Sequence, residues 1–145
     1  MMHALRILTP GLHSTFQDAG RIGYRAAGVP ASGPLDRLSL ALANALVGNR
    51  PDTAALEMLQ GGPAVAVLAE STRIALTGCN SAIEVRHASG RQRRVPAGRS
   101  VRLTRGDQFR IATLGASLCA YLAIEGGIAL PRVLGSASTH ARSGL

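Results

Sequence analysis

Between Thr9 and Arg37 runs TPGLHSTFQDAGRIGYRAAGVPASGPLDR, the part of the chain richest in side chains able to do chemistry. It holds two carboxylates, Asp18 and Asp36, two guanidiniums, Arg21 and Arg25, and the hydrogen-bonding groups of Gln17, Tyr24 and Ser32. Such groups can move protons, clamp anions and bind carbonyls. They alternate with Gly11, Gly20, Gly23, Gly28 and Gly33, which permit backbone angles and close approaches that a Cβ would block. Pro10, Pro30 and Pro34 pin φ near the ends, so the segment reads as an ordered loop folded over something. A plain connector would have a similar composition, and both readings stand.

The elements around this loop must position it. A short apolar run, Ala4 to Leu8, precedes it and reads as an edge strand ended by Pro10 and Gly11. From Pro34 the spacing of Leu35, Leu38, Leu42, Ala45 and Leu46 predicts a helix burying that face, capped by Ser32 or Gly33 and stopped by Gly48. Asp36 then falls in the first turn, where it either steadies the helix start or, with Ser32 and nearby N–H groups, forms an anion site. After Asn49 come short apolar runs at 54–59, 64–68, 73–77, 83–87, 100–103, 108–112 and 118–124, separated by glycine and proline breakers. That pattern predicts a mainly β fold with one or two helices, an antiparallel barrel or sandwich with a helix closing one end. Glu57 interrupts an apolar strand; by alternation it points outwards, or else it reaches in to an arginine of the loop. The final GGIALPRVLGSASTHARSGL stops without a capping element, and the expectation is half of something longer.

With 145 residues, 46% of them apolar, the chain suits one domain with a proper core. No apolar run approaches the roughly 20 residues that cross a bilayer, and the start lacks a secretory cleavage pattern, so the expectation is a cytoplasmic protein without membrane contact. Cys79 and Cys119 lie far apart, and His3, His13, His87 and His140 are scattered, so no metal is predicted. His13, Ser14 and Asp18 do not make a triad, because sequence neighbours rarely meet that geometry and no nucleophile elbow surrounds Ser14.

All sixteen basic residues are arginine. Without lysine the chain can carry neither a Walker A loop nor a Schiff base, and no biotin can be joined to it. The net charge of +8, with eight arginines between Arg86 and Arg110, invites a nucleic-acid reading. Against it stand the four aromatics, Phe16, Tyr24, Phe109 and Tyr121, too few for a stacking platform, and the lack of any recognised nucleic-acid-binding signature. A solvated or subunit-docking face is the milder explanation.

The blocks PGLHSTFQDAGRIGY, GVPASGPLDRLSLALANALVGN, AALEMLQGGP, IALTG and YLAIEGGI resemble the opening of the biotin-dependent carboxyltransferase family, also called allophanate hydrolase subunit 2. That family includes the C-type subunit of 5-oxoprolinase and the carboxyltransferase region of urea amidolyase. The resemblance implies a cyclophilin-like antiparallel β-barrel, with residues 1–145 as the N-terminal half of the domain and a second half absent. It implies a B-type partner from the same complex, together with the A-type subunit of 5-oxoprolinase or a biotin carboxylase partner, with ATP and biotin entering through those partners. The activity implied is ATP-dependent opening of 5-oxoproline to glutamate, or carboxyl transfer to urea; a non-catalytic regulatory or docking role is the alternative. Under this resemblance Asp18 and Asp36 are the candidate catalytic carboxylates. Arg21 and Arg25 are the anion clamps, and Gln17, Tyr24 and Ser32 bind the carbonyl. Asp18 and Arg21, three residues apart, could instead simply pair with each other.

Overall fold

A computed structural model describes residues 4–145. Ten strands form two antiparallel five-stranded sheets. The first is ordered β1 (Leu5–Thr9), β4 (Ala64–Val67), β9 (Gln108–Arg110), β6 (Ala82–Arg86) and β7 (Gln92–Pro96). The second is ordered β2 (His13–Gln17), β3 (Ala55–Leu59), β10 (Cys119–Ile124), β5 (Ser71–Thr77) and β8 (Ser100–Thr104). The strands expected from the sequence are present within a few residues. β1 is an edge strand as expected, whereas β2 lies hidden inside the polar loop and β7 inside the arginine-rich stretch.

The expected barrel is not closed. Among the described residues each sheet keeps two edges, and the sheets face each other across a core that includes Met58, Ile74, Leu76, Val85, Phe109 and Leu122. Alternation builds this core: in β10, Ala120 and Leu122 point between the sheets while Cys119, Tyr121 and Ala123 point to the other face. On that second face lies the one α-helix among the described residues, α1 (Arg37–Leu46), packed across β5 and β10. It therefore covers the outside of a sheet instead of closing an end, because Ala55, Ala75 and Ala123 leave a shallow bed for it.

α1 buries largely the opposite face from the one the leucine spacing predicts, and of that predicted set Leu46 packs partly against the sheet. Leu40, Ala43 and Val47 go into the sheet, with Ser39 and Asn44 beside them, whereas Leu35, Leu38 and Leu42 are 64%, 69% and 49% exposed. Both faces of the helix are apolar, so periodicity alone could not choose between them. Buried polar groups decide the choice. Asn44 donates to the Thr53 carbonyl at 2.8 Å, and Thr77 donates its hydroxyl to the Ser39 carbonyl at 2.6 Å. Asn49 ties the helix end to the sheet by donating to the Ile124 carbonyl at 2.8 Å.

The helix also starts later than Pro34. Asp36, in extended conformation, is the cap itself, not Ser32 or Gly33. Its Oδ1 accepts from the Ser39 N–H at 3.0 Å and its Oδ2 from the Ser39 hydroxyl at 2.6 Å. At the other end Gly48, with φ of +78°, ends the helix as expected.

Candidate functional site

The loop after β2 doubles back on itself. The Arg21 N–H donates to the Ala31 carbonyl at 2.6 Å, and Gly20, with φ of +92°, lies so close to this neck that a Cβ would sit 2.6 Å from the same carbonyl oxygen. Glycine is the residue this closure requires. Between the two sides of the neck the chain turns through a short 3-10 segment, Arg25–Ala27, started by Tyr24. Both Tyr24 and Arg25 are exposed.

Asp18 is 3% exposed. Its Oδ1 accepts from the Gly20 N–H at 2.9 Å and from the hydroxyls of Ser136 and Ser138 at 2.5 and 2.7 Å, and its Oδ2 accepts from the Ala137 N–H at 2.7 Å. Burial by itself raises the Asp18 pKa, but these hydrogen bonds together outweigh it and hold the carboxyl below its ordinary value. Arg21 is 2% exposed and turns to the same segment, donating Nε to the Val133 carbonyl at 3.0 Å. Asp18 and Arg21 make no ion pair with each other; both hold residues 133–138. Thr139 continues this attachment: its N–H donates to the Phe16 carbonyl at 2.8 Å and its carbonyl accepts from Gln17 Nε2 at 3.3 Å.

Asp36 serves a different element. It caps α1, and the Ser39 hydroxyl, the Ser39 N–H and the Leu38 N–H lower its pKa against a weaker effect of burial. Its own N–H donates to the Tyr121 hydroxyl oxygen at 2.8 Å, and that hydroxyl donates to Glu57 Oε2 at 2.6 Å. The same Glu57 oxygen accepts from the Leu35 N–H at 2.8 Å. Glu57 thus neither faces solvent nor meets an arginine of the loop. Buried under the helix start, it fixes the backbone at Leu35, and burial together with this carboxylate pushes the Tyr121 pKa up. Tyr121, Ser136 and Ser138 are functional neighbours that the sequence reading misses. The available signals are one tyrosine in an apolar strand and a Ser-x-Ser pair whose hydroxyls share one side of an extended segment.

Buried polar atoms normally have partners. Among the described residues four buried side-chain nitrogens or oxygens have none within the protein, and three of them belong to this loop: Gln17 Oε1, Arg21 Nη1 and Ser32 Oγ. Ser32 has the positive φ of 55°, uncommon outside glycine. Arg21, Ile22, Gly23, Arg25, Ala26 and Ala31 line a cavity of about 300 Å³. Of the three residues with an unpartnered atom, Arg21 alone is among those lining this cavity, and all three atoms are buried. A second hollow, of about 290 Å³, lies on the outer face of the first sheet, where Arg86, Gln92, Gln108 and the ion-paired Glu84 and Arg110 meet. Among the described residues no group of three or more His, Cys, Asp or Glu could hold a metal ion.

This two-sheet β fold is shared with solved structures. Residues 27–145 match the family described as "Carboxyltransferase domain, subdomain A and B", and the chain belongs to that family. It is 41% identical to urea amidolyase of Saccharomyces cerevisiae over 94% of this chain and 7% of that protein. To the C-type subunit of Escherichia coli 5-oxoprolinase it is 34% identical, over 97% of this chain and 44% of that protein. The TTHA0988 crystal structure superposes with a TM-score of 0.87 at 33% identity, covering 97% of this chain and 51% of that one. Urea amidolyase of K. lactis gives 0.84 at 36% identity, over 94% and 8%. The chain therefore spans less than half the length of these curated relatives. Among the described residues no helix is long and apolar enough to cross a membrane.

Proposed function

We propose that this chain is one component of a carboxyltransferase-type complex acting on a small amide or urea, as a 5-oxoprolinase or urea amidolyase does, and that the loop from Gln17 to Ser32 contacts that substrate. The observation that carries the reading is the set of unpartnered buried atoms. Arg21 Nη1 and Ser32 Oγ can donate to a carbonyl or carboxylate, and Gln17 Oε1 can accept an amide N–H. Arg25, exposed and lining the cavity, and its exposed neighbour in sequence Tyr24 add a second cation and a phenol for steering and closure over the ligand. Asp18 and Asp36, with oxygens already accepting from the chain, act here by positioning: Asp18 sets the neck of the loop and Asp36 the helix that follows. ATP and biotin chemistry belongs to the partners proposed here, a B-type 5-oxoprolinase protein and either its A-type companion or a biotin carboxylase. A carboxylate carried on biotin would suit the same arginine donors.

The test replaces the matching segment of the E. coli 5-oxoprolinase C-type protein with this chain and measures ATP hydrolysis stimulated by 5-oxoproline, and separately by urea, in the presence of the other components. Arg21→Ala is expected to abolish the stimulation. Arg25→Ala, at an exposed position that leaves the fold intact, is expected to raise the KM for the small substrate about tenfold with kcat little changed. Unchanged kinetics in Arg25→Ala and retained stimulation in Arg21→Ala would remove the loop from the site.

A further inference from the structure

The two sheets differ on their outer faces. α1 lies across β5 and β10 of the second sheet, whereas the outer face of the first carries long polar side chains. Alternation along each strand selects them. Val65, Val85, Val95 and Phe109 go into the core, so their neighbours in β4, β6, β7 and β9 turn outwards. The register then lines these outward residues up in two rows across the sheet. One runs Arg6, Ala66, Gln108, Arg86 and Gln92, and the other Ala64, Arg110, Glu84 and Arg94.

Four arginines thus share this face with one carboxylate. Glu84 is taken by Arg110, and Arg6, Arg86 and Arg94 form no ion pair among the described residues. Arg86 stands between Gln92 and Gln108, each one strand away, so three side chains able to donate N–H groups lie in line over roughly 10 Å. They border the hollow of about 290 Å³, to which Ala64 and Leu8 give an apolar side. We infer that this face docks an acidic segment of a partner protein, one carboxylate of which enters the hollow and accepts from Arg86 while its methylene groups rest on Leu8 and Ala64. Charge complementarity sets the sign of the partner. The Glu84 carboxylate, and rows without an aromatic side chain, set its kind. Separate carboxylates can stand clear of Glu84, whereas a phosphate backbone crossing the face meets it, and bases find nothing there to stack on. The docking does not depend on what the loop from Gln17 to Ser32 binds.

Fluorescence anisotropy of a labelled glutamate decamer titrated with the intact chain tests this. Binding is expected at low ionic strength and weakens as salt screens the arginines. Arg86→Glu is expected to weaken it about tenfold or more, and Arg37→Glu, the same change of charge at an exposed position on α1, less than about twofold. Ala64→Leu leaves every charge in place but fills the hollow, and is expected to weaken binding about fivefold. All three variants should melt like the parent chain, because each side chain points out of the core. Absence of binding at every salt concentration would overturn the proposal. So would an Arg37→Glu loss equal to that of Arg86→Glu, which would mean attraction by net charge alone, or an Ala64→Leu chain that binds like the parent. Tighter binding of a deoxyadenosine decamer would make the face a nucleic-acid surface instead, and displacement of the peptide by free glutamate at about millimolar concentration would make the hollow a small-anion site.

Discussion

Asp18 and Asp36 bracket one loop and look interchangeable in sequence, yet the fold uses them at different scales. Asp18, buried, accepts four hydrogen bonds, three of them from residues more than a hundred positions away. Asp36, half-buried, is held within its own first turn, accepting from the N–H and hydroxyl of Ser39, three positions on. One carboxylate closes a long chain loop around a charge and the other finishes a local turn. Both are held below the ordinary aspartate pKa, but the element released on protonation differs: residues 133–139 for Asp18, the first turn of α1 for Asp36.

The largest effect follows from removing the first charge. Asp18→Asn removes the charge that gathers four donors and sets an amide NH2 against the Ala137 N–H where Oδ2 accepted, at a cost of about 3 kcal/mol or more. For a chain of this size that is a fall in Tm of roughly 6–12 °C. Acid should produce the same release in the parent. Because the folded pKa is depressed, the stabilisation is complete above the unfolded value near about 4 and is lost as pH falls through the folded value. Amide exchange at residues 133–139 is expected to accelerate below about pH 4 in the parent and to be fast at every pH in Asp18→Asn. Equal protection in the two proteins would abolish the contrast between the aspartates.

How much of this is legible in the sequence follows from the range of the interactions. The strands can be read because period-two alternation is local, and so can the polar loop, because glycine and proline act on their own backbone. β2 escapes such a reading because HSTFQ carries little apolar signal and is held by pairing with β3 and by Thr139. The seat of α1 escapes it because leucines occupy both faces and the choice is made by Asn44, Thr77 and Tyr121, two of them from other elements. Of the loop's residues, sequence picks out the set but not the division between those that hold the chain and those left with free hydrogen-bonding capacity. That division depends on Ser136 and Ser138, which no local pattern ties to Asp18.

A third carboxylate sharpens the comparison from the middle of the scale. Glu57 is buried like Asp18 yet serves the helix start like Asp36, through Tyr121. Tyr121→Phe deletes the hydroxyl that donates to Glu57 and accepts from the Asp36 N–H, leaving two buried groups a partner short. The expected cost is about 2 kcal/mol, between those of the two aspartates. A thermal melt of Tyr121→Phe beside Asp18→Asn checks the order, and a tyrosine variant as costly as Asp18→Asn would mean that the helix start, not the tail, is the critical junction.

The smallest effect belongs to the cap. Asp36→Ala removes two acceptors from Ser39, but the Leu40 N–H still reaches the carbonyl of residue 36, and the backbone N–H of residue 36 keeps the Tyr121 hydroxyl. What is lost is one capping interaction, worth about 1 kcal/mol and roughly 2–4 °C in Tm. Asp36→Ser, which can still accept from the Ser39 N–H, is expected to recover most of it. If Asp36→Ala instead equals Asp18→Asn and serine gives no recovery, the carboxylate charge at position 36 is holding more than its own turn, and the division of labour between the two aspartates fails.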